Sequence, residues 1–130
     1  MQNIIESART ATNALRTLFD PTPLQRNEHL SARFDADIWL KREDLSPVRS
    51  YKIRGAFNAM RKVLADNPDQ DTFVCASAGN HAQGVAFACR HFQKRGVIFM
   101  PVTTPRQKID KTRVFGGDTI EIRLVGDYFD

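Results

Sequence analysis

The sequence is poor in the residues that staple or anchor small proteins. It has two cysteines among 130 residues, Cys75 and Cys89. Both fall in apolar contexts without metal-ligand spacing, so they read as reduced, buried thiols and no metal is expected. Long hydrophobic runs are missing as well. Stretches such as "GVIFM" (96–100) are far too short to cross a bilayer, so no membrane partner is expected. The opening "MQNIIESARTATN" sets Glu6 and Arg9 where a secretory leader would need apolar residues, which points to the cytoplasm. Charge of one sign is not concentrated either. Nineteen basic and 15 acidic residues leave a net +4, and they are interleaved, so no stripe for nucleic acid emerges. The three-glycine dinucleotide pattern is absent. Gly79 and Gly84 begin like a phosphate loop, but Val85 and Ala86 stand where lysine and serine or threonine would be required.

What is present is an ordinary globular composition, 42% hydrophobic and 26% charged, on a chain long enough for one real core. Apolar spacing predicts a helix over 3–19, closed by "DPTP" because proline cannot continue it. "DIWLK" (37–41) reads as a strand. A helix over 51–65 follows, with Ser50 as N-cap and Ile53, Phe57, Met60, Val63 and Leu64 as its apolar stripe. Beyond "NPDQD" the pattern becomes regular: strand 72–76, helix 80–94, strand 96–100, helix 105–115, strand 119–125. That alternation predicts an α/β fold of βαβ units, a parallel sheet with flanking helices. Ligands of such sheets bind beyond the carboxyl ends of the strands. No repeat or low-complexity segment is evident, and the final "VGDYFD" follows a strand with no closing helix, as in an incomplete fold.

Two segments carry chemistry. In "SPVRSYKIRGAFNAM" (46–60), Lys52 sits in the first turn of a helix, where the macrodipole makes a cation least welcome. In "ASAGNHAQGVA" (76–86), small residues lead from a strand into a helix near Asn80. Backbone amides there can approach an anion closely, with Asn80 and His81 at the tip. Taken singly, each has an ordinary reading. Lys52 would be solvated, the turn merely a turn, and His81 a capping or surface histidine. His29 and His91 suggest no role, and "KRED" (41–44) would be an exposed charged loop.

Together with "TPLQRNEHLS" and "MPVTTPRQKIDKTRVFGGD", these segments are similar in order and spacing to the threonine ammonia-lyases (threonine dehydratases). Those are fold-type-II pyridoxal-phosphate enzymes, related to serine dehydratase and serine racemase. The resemblance runs over about residues 17–130, and "SYKIRGA" with "SAGNHAQGVA" is its specific part. It implies that Lys52 attaches covalently to pyridoxal 5'-phosphate and is the catalytic residue. It implies that Tyr51 packs on the cofactor ring, although the family often has phenylalanine there. Asn80 would hydrogen-bond the ring oxygen, and Ser77, Ala78, Gly79, Asn80 and His81 would hold the substrate carboxylate. The resemblance places the family's glycine-rich phosphate cup and its pyridine-nitrogen partner beyond residue 130. Residues 1–51 would then be an N-terminal piece of the large catalytic domain, and 52–130 most of the small α/β domain. The implied activity is deamination of L-threonine to 2-oxobutanoate and ammonia in isoleucine biosynthesis, by a homo-oligomer acting on a small amino acid. The alternatives are a serine or 3-hydroxyaspartate dehydratase, a serine racemase, or a catalytically inert α/β module.

Overall fold

The computed structural model describes residues 3–128. The chain divides into two compact units, Met1–Tyr51 and Lys52–Asp130.

The first unit opens with helix α1, Ile4–Leu15, whose cap is Asn3: its side chain accepts from the Ile5 N–H at 3.0 Å. The helix stops at Leu15, four residues short of the expected end. The Thr17 hydroxyl donates to the Ala14 carbonyl at 2.7 Å and turns the chain before "DPTP" is reached. The expected strand is present as β2, Trp39–Lys41, but its partner was missed. Strand β1, Leu24–Arg26, pairs with it antiparallel, Leu24 opposite Lys41. Between them lies a second unforeseen element, the seven-residue helix α2, Glu28–Phe34. Asn27 caps it, accepting from the Leu30 N–H at 2.8 Å, and Asp35 in the left-handed region ends it at φ 47°. A strand pair of three residues is marginal in isolation. Here the buried Ser31 ties α2 to the β2 end, its hydroxyl accepting from the Ile38 N–H at 3.0 Å. In the "KRED" stretch Arg42 grips Asp44 with two hydrogen bonds, and Glu43 accepts from the Thr22 hydroxyl at 2.6 Å. The loop before the second unit is closed by Ser46, whose hydroxyl accepts from the Ser50 N–H and donates to the Ser50 carbonyl.

The second unit is the α/β part: α3 Lys52–Asp66, β3 Thr72–Ala76, α4 Asn80–Phe92, β4 Arg95–Met100, α5 Arg106–Gly116 and β5 Ile120–Leu124. The strands form a parallel sheet in the order β3-β4-β5, with Cys75 opposite Ile98 and Ile98 opposite Ile122. The central strand reads as a near-continuous apolar run because both neighbours and a helix layer cover it. Ala82 and Ala86 of α4 and Ile109 of α5 pack on Ile98 and Met100, with Cys75, Phe115, Ile120 and Ile122 around them. Two close approaches use glycine: a Cβ on Gly96 would meet the Cys89 Sγ at 2.8 Å, and one on Gly116 would meet Ile120 at 2.6 Å.

Two expectations for α3 are corrected. Ile53, Phe57 and Met60 are buried, but Val63 is exposed, so the buried stripe is shorter than the apolar one. Ser50 is not the N-cap. Its hydroxyl is buried and has no hydrogen-bond partner, because the backbone of this loop is held by Ser46 instead. Helix α4 also ends two residues early: Gln93 turns left-handed at φ 53°, and β4 begins at Arg95.

Candidate functional site

The candidate site lies at the carboxyl end of β3, where a parallel sheet presents ligand-binding loops. The chain leaves Ala76 with the Ser77 N–H still donating to the Phe99 carbonyl of β4 at 3.0 Å, so the turn begins anchored to the sheet. The Ser77 hydroxyl then accepts from the Gly79 N–H at 3.3 Å, folding Ser77, Ala78 and Gly79 into a tight bend. Gly79 is the residue before α4 and has no side chain to cap it. The helix's own ladder starts only with Gln83, whose N–H donates to the Gly79 carbonyl at 3.3 Å. The amides of Asn80, His81 and Ala82 therefore face out of an uncapped helix end, which favours an anion. Nothing lies within 4 Å of where a Gly79 Cβ would stand, so the bend opens on space.

Lys52 is the first residue of α3 and is half-buried. Its place relative to the bend is fixed by α4. A Cβ on Gly84 would stand 3.0 Å from the Lys52 carbonyl oxygen, 3.1 Å from its carbon and 3.2 Å from the Ile53 nitrogen. The Lys52–Ile53 peptide thus rests directly on the Gly84 Cα. Asn80 is four residues earlier on α4, so it lies on the same face one turn nearer the bend. Lys52 and Asn80 are 28 positions apart in the chain, and the Lys52 backbone meets α4 one turn beyond Asn80, at Gly84. Asn80 and His81 are exposed, while Ser77, Ala78 and Gly79 are half-buried. Tyr51, the last residue of the first unit, is 58% exposed.

This donor set suits a ligand with a carbonyl carbon for an amine to attack and anionic oxygens for amides to hold. The open bend and the missing side-chain cap of α4 leave room for it. A metal centre has no counterpart: among the described residues no group of three histidine, cysteine or acidic side chains could hold an ion. Gly84 was not singled out as a site residue from the sequence. The signal was the run of small residues after "NHAQ", but only the packed helices show which of them touches the Lys52 backbone.

Among known proteins, the family described as pyridoxal-phosphate dependent enzyme matches residues 15–130. A biosynthetic L-threonine dehydratase of Bacillus subtilis is 56% identical over 109 residues, covering 84% of this chain and 26% of that protein. The processed form of threonine deaminase isoform 2 from Solanum lycopersicum is 37% identical, with a TM-score of 0.80 over 96% of this chain and 36% of the solved one. Maize serine racemase is 27% identical with a TM-score of 0.79, covering 94% and 36% respectively. The chain spans 26–30% of the length of the curated relatives it matches.

Proposed function

Because the chain belongs to the family of pyridoxal-phosphate dependent enzymes, we propose that its protein deaminates L-threonine to 2-oxobutanoate and ammonia. The observation that supports this reading is the contact of the Lys52–Ile53 peptide with Gly84, which lies one turn along α4 from Asn80. The identity to a threonine dehydratase supports threonine over serine as substrate, and the lower identity to a serine racemase leaves racemisation the weaker reading.

Lys52 would hold pyridoxal phosphate through its Nζ. The same amine would serve as the base for the proton on the substrate Cα. The cofactor, when bound, supplies an electron sink for the charge left on that carbon. Asn80 would donate from its side-chain amide to the oxygen on the cofactor ring. The amides of the bend, with the Ser77 hydroxyl and the start of α4, bind the substrate carboxylate and orient the β-hydroxyl to leave. Tyr51 would pack against the ring. In this reading residues 1–51 belong to the large catalytic domain and residues 52–130 to the small one, in a cytoplasmic homo-oligomer serving isoleucine biosynthesis. No helix among the described residues is long and apolar enough to cross a membrane.

The test is a ketoacid assay on the whole gene product with L-threonine, L-serine and 3-hydroxyaspartate. It is paired with borohydride reduction and peptide mapping of the attachment site. Threonine should be preferred, the label should fall on Lys52, and Lys52→Ala should lower turnover by at least roughly 10²–10⁴-fold. A label on another lysine would refute the assignment of Lys52, and faster turnover of serine would refute that of threonine.

A further inference from the structure

We propose that Gly84 is a positioning residue: the bare Cα it presents to the Lys52–Ile53 peptide sets where Lys52 stands along α4 relative to Asn80. The proposal rests on the role given to Lys52 above. Gly84 lies inside α4, where glycine weakens a helix, and its backbone is not left-handed, unlike that of Gly117 or Gly126. Conformational freedom therefore does not explain it. Close approach does. The atoms a Cβ would press on, at 3.0 to 3.2 Å, are the carbonyl group of Lys52 and the nitrogen of Ile53.

The other described glycines differ. Gly55 and Gly79 face open space, and Gly96 and Gly116 are crowded by side chains, which can rotate aside. A peptide group cannot rotate aside without moving the helix start that carries it. Nor can this one retreat easily, since the Ile53 side chain that follows it is fully buried. An added methyl would therefore be relieved by sliding or tilting the first turn of α3. Its effect would fall on the Lys52 amine and its spacing from Asn80, which lies one turn (about 6 Å) from Gly84 along α4.

Gly96→Ala serves as the control. It also adds a methyl to the packed second unit, against the Cys89 Sγ at 2.8 Å, but at the amino end of β4, away from the bend. In the whole gene product, Gly84→Ala should slow attachment of pyridoxal phosphate to Lys52 at least tenfold, read by timed borohydride reduction and peptide mapping. It should also move the visible absorption maximum of the loaded protein. In cofactor-free protein it should speed hydrogen exchange at the Ile53 amide. Gly96→Ala should lower the melting temperature yet match the unsubstituted protein in attachment rate and absorption. All three are compared in one buffer, with sucrose added if Gly84→Ala needs it to fold. Unchanged attachment and exchange in Gly84→Ala, or equal losses in both variants, would overturn the proposal. Attachment at a lysine other than Lys52 would overturn the functional reading instead, and the exchange at Ile53 would still judge the contact.

Discussion

Asn80 is exposed at the first position of α4, so its side chain is available to a ligand and carries little of the packing. Asn80→Ala should therefore leave the protein folded and the cofactor attached while shifting its absorption. Losing one hydrogen bond to a charged oxygen costs about 1.5–3 kcal/mol, a roughly ten- to hundredfold slower turnover. Unchanged spectrum and rate would show that Asn80 points elsewhere. Cys89 is the opposite kind of residue. It is fully buried, and burial, with a smaller contribution from Cys75, pushes its thiol up to about 11. An unfolded chain ionises the same thiol near 8.5–9, so between that value and about 11 the native state binds more protons. The stabilisation is complete below pH 8.5 and is lost as pH rises towards 11. Urea midpoints of the protein and of Cys89→Ala should accordingly converge over that window, by at most about 2–3 kcal/mol. A gap that stays constant to pH 11 would mean the thiol titrates normally.

Helix α2 has only seven residues, too few to be stable from propensity alone. Its Asn27 cap and the Ser31 bond to the Ile38 N–H hold both ends of the β1–α2–β2 segment. Asn27→Ala should therefore destabilise the first unit by about 1 kcal/mol, with hydrogen exchange rising in residues 28–34 while α4 and β4 stay protected. Uniform loss of protection across both units would contradict such a local role. The exposed ion pairs Arg26–Asp37 and Arg95–Glu121 carry less weight, because solvent and salt screen them. These short elements escaped the sequence reading for a physical reason. Three-residue strands and a two-turn helix have too few periodic positions to stand out, and β1 and α2 exist because β2 and Ser31 are there to receive them. Asn27 followed by Glu28 was the one available cue.

For the molecule as a whole, a cofactor with a phosphate and a substrate with a carboxylate together demand two anion sites. Among the described residues one uncapped helix start combines with an open, glycine-containing bend, that of α4. The 130-residue chain by itself should therefore hold pyridoxal phosphate weakly, losing it on dialysis, and should form no measurable ketoacid from threonine. Bound cofactor is read by absorbance after dialysis. Stoichiometric retention with turnover would show that these residues build both anion sites. Exposed Ile4, Phe34 and Trp39 on the first unit should also promote self-association at high concentration, visible by light scattering.

The sequence by itself determined the βαβ order of residues 72–124, the parallel sheet and the burial of Cys89, whereas Cys75, expected to be buried too, is only half-buried. Each of these follows from local alternation of apolar and polar residues and from small residues at the turns. It also determined the family, because "SYKIRGA" and "SAGNHAQGVA" are specific strings of residues that need no neighbours to be recognised. Only the tertiary structure decided that Ser46 rather than Ser50 holds the loop before α3, that Val63 falls outside the buried stripe, and that the Lys52 backbone rests on Gly84. These depend on which atoms of distant segments share a volume. At Gly84 the deciding quantity is about one methyl group of space between two backbones, and no pattern along a single chain records it.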